Sequence, residues 1–190
     1  MKKYFPWNSS AWFEFDHISS SAAQFNTEKL NWLNAHYLKV ADPGRLAGEV
    51  RRRLTAQGVD EADVCAFPAL EAVVALYKER AGNLNELADA VHPFCVAVYP
   101  SPELLAQHLT ATVRAALASL RGKLEAQTAW QAAALSQAVK ETLASHGMKM
   151  PQLAIPLRVV LLGQPQSPAL DAVLEVLGRE RVLERLGRVL

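Results

Sequence analysis

The sequence predicts an all-α protein of two packed helical domains, and three observations carry that prediction. Apolar residues recur at threes and fours over most of the chain, the spacing of a buried helix face. The one short run of strand-like composition, Phe94 to Tyr99, has no second strand to pair with. Gly58, Gly147, Gly163 and Gly178 fall where periodic segments stop, as helix-terminating glycines do.

Taken in order, residues 1–11 fit no helical pattern and are set aside as a leader of unclear origin. The first domain spans residues 12–92. Its first helix starts at Thr27, with Asn26 or Thr27 able to cap, carries Leu30, Leu33, Tyr37 and Leu38, and ends at Asp42-Pro43-Gly44. Trp32 and His36 lie one turn apart on it and fit an aromatic packed at a domain seam. Arg45 to Ala56 forms a second helix with Leu46, Val50 and Leu54 on one face. Arg51, Arg52 and Arg53 point in three directions and read mostly as a solvated face. A third helix runs from about Pro68 to Arg80 and a fourth from about Leu84 to Val91.

The second domain spans residues 93–190. The stretch from His92 to Pro102, with prolines at 93, 100 and 102, reads as an extended linker packed on the core. Glu103 to Gln127 and Ala129 to His146 follow as two long helices rich in alanine and leucine, and the alanines permit close helix packing. Another helix starts at Met150-Pro151. Ser167-Pro168 has the form of a cap followed by proline at the first helical position, opening a helix that ends at Gly178. From Gly178 to Leu190, four arginines alternate with Val182, Leu183, Leu186 and Val189.

Composition excludes several function classes. At 51% apolar and 21% charged residues, the chain is ordinary for a globular protein, and a net charge of +1 announces no global field for nucleic acid. Any RNA binding must therefore come from local patches of charge. The two cysteines, Cys65 and Cys95, have no paired-ligand spacing, and the single His92/Cys95 pair has no partner pair to complete a zinc site. Met1-Lys2-Lys3 is followed by no apolar stretch of a signal peptide, and no segment reaches the roughly twenty apolar residues that span a bilayer. A cytoplasmic, monomeric protein with no membrane contact is expected. Walker and Gly-x-Gly-x-x-Gly loops are absent, and Ser19-Ser20-Ser21 reads as a cap or turn.

Leu153 to Asp171 stands out because it places Arg158 inside an apolar run from Ile155 to Leu162. An arginine there either snorkels, its methylenes buried and its guanidinium wet, or points its forked donors into a groove where they grip a phosphate or a base edge. A helix start in the next loop would add amide groups that attract anions.

The segment LAIPLRVVLLGQPQSPALDAVLEVLGRERVLERL resembles the C-terminal end of bacterial glutamyl-tRNA synthetases, and FDHISSSAAQFNTEKLNWLNAHYLK is similar to the segment that opens their tRNA-binding half. The resemblance implies that the first domain contacts the tRNA stem and the second is an anticodon-binding bundle. It implies that Arg158 meets the first anticodon base, while Ser167, Pro168 and Leu170 present backbone groups and an apolar wall to its neighbours. It further implies that Arg80, at a corner between helices, faces the third anticodon base and belongs to the type that discriminates against glutamine tRNA. The ATP-binding motifs of a class I synthetase are missing, so ATP and magnesium would bind an absent catalytic domain, no cofactor is expected here, and the chain should not catalyse alone. The expected partners are tRNA(Glu) and the catalytic domain of the same synthetase. The alternative is a helical protein-protein adaptor that kept the fold and lost tRNA binding.

Overall fold

A computed structural model describes residues 26–65 and 69–190. The leader at 1–11, the serines at 19–21 and the Pro68 start of the third helix lie outside the described residues. Among those described there are eleven helices and no strand.

The first five helices are α1 (Thr27–Val40), α2 (Pro43–Ala56), α3 (Glu61–Cys65), α4 (Leu70–Tyr77) and α5 (Leu84–Cys95). Asn26 caps α1 by accepting from the Lys29 amide at 2.9 Å, and Asp42 caps α2 by accepting from the Arg45 amide at 3.0 Å. Pro43 supplies the first turn of α2, where its missing N–H costs nothing, so that helix begins earlier than its arginines suggest. The short α3 was not anticipated. Asp60 starts it by accepting from the Ala62 amide, a local turn that apolar periodicity cannot reveal.

The remaining helices are α6 (Pro102–His108), α7 (Ala111–Glu125), α8 (Ala132–His146), α9 (Met150–Leu162), α10 (Leu170–Leu177) and α11 (Arg179–Gly187). Two boundaries here correct the sequence reading. The helix expected across Glu103 to Gln127 is broken at Leu109-Thr110, where Thr110 accepts from the Val113 amide at 3.3 Å and starts α7 afresh. The linker expected from His92 is shorter, because α5 continues through Pro93 to Cys95 and only Val96 to Ser101 is extended. A proline in a last turn removes one amide donor without having to admit further turns, so it ends a helix slightly late.

The apolar faces meet in one contiguous cluster that runs from Leu38 to Leu186 and includes residues of both expected domains. α2 packs on α4 and α5, α7 on α8 and α9, and α10 on α8; α4 touches α10 across the two halves. Phe94 is completely buried and meets Tyr77 edge to face, with ring centroids 5.8 Å apart. Of the apolar residues read from α1, only Leu38 is buried among the described residues. Trp32, stacked on His36 at 5.6 Å, is 67% exposed, which is not the seam packing expected of it.

Arg185 is the other departure. It is one of four arginines in the terminal stretch, yet it is 4% exposed. Its guanidinium donates to the carbonyls of Leu161, Pro93 at 2.8 Å and Val96 at 2.9 Å. These are carbonyls at the C-terminal ends of α9 and α5, the negative ends of two helices, so one buried cation closes both.

Candidate nucleic-acid interface

The site grows from the end of α9. Gly163 stops that helix in the left-handed conformation, φ 71°, and a Cβ there would sit 3.2 Å from Val98 Cγ1 of the extended segment. The chain then turns through Gln164 to Ala169, which returns Ser167 to the side of α9 that carries Arg158.

Arg158 is half-buried, and its Nε donates to Ser167 Oγ at 2.8 Å. The same hydroxyl donates to the Pro168 carbonyl at 2.9 Å. That relay fixes the plane of the guanidinium, and among the described residues no acceptor engages its two Nη groups. The arginine is therefore neither a loose snorkelling chain nor a sealed ion pair; it is held at one nitrogen and open at the fork.

Arg80 arrives from the other half. It sits in the turn after α4, where its backbone amide donates to the Tyr77 carbonyl at 2.9 Å. Its exposed Nη1 reaches the Ser167 carbonyl at 3.4 Å. Ser167 is thus the meeting point of two arginines 78 positions apart, which the sequence could nominate singly but not bring together. A helix-end cation satisfying its own dipole would have stayed on α4.

Leu170 and Pro168 are buried, and Leu170 joins Arg158 in lining a groove of about 470 Å³ between α8, α9 and α10. Of the two, only Leu170 presents apolar surface to that groove. The expected cap does not form. α10 begins at Leu170 with Ala169 in the cap position and no side chain bonded to its first turn, because the Ser167 hydroxyl is committed to Arg158 and Pro168. The start of α8 is closed from a distance, since Glu175 of α10 accepts from the Ala132 amide at 3.0 Å and Trp130 Nε1 donates to the Leu174 carbonyl at 2.9 Å.

Tyr77 belongs to this neighbourhood and was not singled out from the sequence as a site residue. Burial pushes its hydroxyl up to about 12, against the opposing pull of the Arg80 and Arg158 charges. The hydroxyl has no hydrogen-bond partner among the described residues. The signal available was its position in the last turn of a helix that delivers Arg80. Cys95 is buried, and its thiol is pushed up to about 11 by the same desolvation, which makes it inert.

The arginine run of α2 is largely self-contained. Arg52 and Arg53 pair with Glu49, and Arg53 Nε also reaches Asn85 Oδ1 of α5 at 3.3 Å. Arg53 is a tie between two helices, and only Arg51 and Arg52 remain chiefly solvated. No described helix is long and apolar enough to cross a membrane.

Residues 45–190 match a family model described as the anticodon binding domain. The chain is 67% identical over 177 residues to the glutamate–tRNA ligase of Azoarcus sp. (strain BH72), a match covering 93% of this chain and 37% of that protein. It is 66% identical to the glutamate–tRNA ligase of Aromatoleum aromaticum, with the same coverage. The chain therefore spans a little over a third of the length of these relatives. In fold it is similar to a glutamate tRNA ligase from Elizabethkingia meningosepticum, with a TM-score of 0.76 at 19% identity over 93% of this chain and 34% of the other.

Proposed function

The chain belongs to the anticodon-binding domain family, and on that premise we propose that it recognises tRNA(Glu) as the anticodon-holding part of a glutamate–tRNA ligase. The observation that carries the reading is the Arg158 guanidinium, fixed through Nε by Ser167 and open at both Nη groups. A fork already oriented loses little freedom when it meets an acceptor pair on an unstacked base, so its donors act at small reorganisation cost. Arg158 reads the first anticodon base, and Ser167, Pro168 and Leu170 supply the turn and the apolar wall beside it. Arg80 faces the third base and sets glutamate tRNA apart from glutamine tRNA. Its tether to the Ser167 carbonyl supports a shared recognition surface for the two arginines.

Stem contact falls to residues 12–92 and anticodon contact to residues 93–190, with Arg80 reaching across. ATP and magnesium chemistry belongs to the catalytic domain of the longer ligase, which is the expected protein partner of this chain. The protein acts as a monomer in the cytoplasm, where translation takes place. Neither the fold nor any relative favours the adaptor alternative.

A gel-shift titration with tRNA(Glu) at stepped salt tests the reading. Binding should weaken as salt rises, in proportion to the phosphates contacted, with a log–log slope of roughly 0.7 per single-stranded contact. Absence of any shift at low salt would falsify it.

A further inference from the structure

The extended segment between α5 and α6 is held along its whole length. Arg185 grips the Val96 carbonyl at 2.9 Å, Val98 packs on Gly163 at the end of α9, Pro100 restricts the backbone before it, and Ser101 caps α6 by accepting from the Leu104 amide at 3.2 Å. Yet Tyr99, the largest side chain of that segment, is 77% exposed. Resting on the anticodon-binding reading, we propose that Tyr99 and Arg188 form a stacking platform for an unpaired loop nucleotide that flanks the anticodon, outside the three bases that specify the tRNA.

Side chains of an extended chain alternate between its two sides. Val96 and Val98 are accordingly half-buried, whereas Ala97 and Tyr99 face water. A ring so exposed removes little apolar area from solvent and adds little to folding. Its partner is a cation: the Arg188 guanidinium lies over one face of the ring, 5.0 Å from its centroid, and Nη2 of the same group donates to Glu184 Oε1 at 2.6 Å, which steadies it there. The opposite face of the ring is left to water. Arg114, exposed on α7, donates to the carbonyl of Val189, the residue after Arg188, so a second guanidinium stands near the first.

An open aromatic face backed by cations suits a flat ring tied to a phosphate. The base stacks on the tyrosine, and the guanidinium groups of Arg188 and Arg114 favour the sugar-phosphate chain that carries it. Stacking uses no hydrogen-bonding edge, so the platform adds affinity without choosing among the bases. Because the segment is fixed by Arg185, Gly163 and the α6 cap, the ring is already in place and little freedom is lost when a base meets it. Continuity locates the platform. Gly163, against which Val98 packs, starts the turn that carries Ser167, so Tyr99 adjoins the surface proposed to hold the anticodon and can meet the nucleotide next along the loop.

The test uses the 190-residue chain and anticodon stem-loop RNAs of tRNA(Glu), one with the natural loop and two in which the nucleotide just 5′ or just 3′ of the anticodon is abasic. Dissociation constants are measured by fluorescence anisotropy for the wild type, Tyr99→Ala and Tyr99→Phe. Tyr99→Ala should weaken binding of the natural loop by about tenfold, within the range of base–aromatic stacking, and leave the salt dependence unchanged because no phosphate contact is lost. Tyr99→Phe should stay within about twofold of the wild type, since the ring and not the hydroxyl carries the contact. One of the two abasic loops should bind the wild type about tenfold more weakly than the natural loop does, yet bind Tyr99→Ala equally well, both changes having removed the same stack. Wild-type affinity in Tyr99→Ala, or a loss that persists in full with both abasic loops, would overturn this inference and leave the anticodon-binding reading standing. Failure of the wild type to bind any stem-loop would overturn both.

Discussion

Arg158 is the residue on which the proposed recognition turns, and its two readings make opposite predictions. A base-reading arginine replaced in Arg158→Ala should cost about 1 to 3 kcal/mol of binding to tRNA with the correct anticodon, with little change in melting temperature. Arg158→Lys should recover part of the loss, because an ammonium keeps the charge and not the fork. Isothermal titration beside a melting curve separates this from a packing role, in which stability falls and RNA selectivity does not. Arg80→Gln should narrow the gap between glutamate and glutamine tRNAs by a similar amount, about 1 to 3 kcal/mol, in competition binding. Arg158 was legible in the sequence as a cation inside an apolar run. Its bond to Ser167 was not, since side-chain pairing across a turn depends on the αL stop at Gly163 and not on composition. Tyr77 and Cys95 give a third residue-level expectation. Their folded values of about 12 and about 11 lie above the ordinary 10.0 and 9.0, so their stabilisation is complete below pH 9 and is lost as pH rises through those folded values. Arg185, pushed down to about 10 by burial, works in the opposite direction above that pH. Tyr77→Phe should therefore flatten the fall of the urea midpoint between about pH 10 and 12 relative to wild type, and an unchanged slope would remove the tyrosine from that account.

The helices divide into those that announce themselves and those closed by distant groups. α2 was readable from Leu46, Val50 and Leu54, and α8 from its alanines, because propensity and apolar spacing agree there. The break between α6 and α7 was missed because both flanks are good helix formers. Thr110 decides it through a local hydrogen bond that competes with the helix, and Thr110→Ala should lower stability by about 1 kcal/mol in urea denaturation. The start of α10 was misplaced for the converse reason, a serine that resembles a cap having its hydroxyl committed elsewhere. Arg185 lay in view on the stripe of Val182, Arg185, Leu186 and Val189, at threes and fours, where a charge is out of pattern. Only the fold reveals that its acceptors are three carbonyls on other segments.

At the scale of the molecule, the all-α class and the packing of two helical sets follow from periodicity, whereas the continuity of the core does not. Contacts such as Arg80 with Ser167 and α4 with α10 join residues that no local pattern relates. The buried clasp of Arg185 has a kinetic side. Its acceptors Pro93 and Val96 lie 92 and 89 positions away, and closing such long loops must precede any return from the contact. The clasp therefore forms late on the folding route, when α5, α9 and α11 have already docked. A substitution such as Arg185→Met should accelerate unfolding far more than it slows folding, the signature of an interaction absent from the transition state. The turn carrying Ser167 leaves the end of α9 that this clasp closes, so the surface proposed to meet RNA is among the last parts of the molecule to take shape and the first to be lost when it opens.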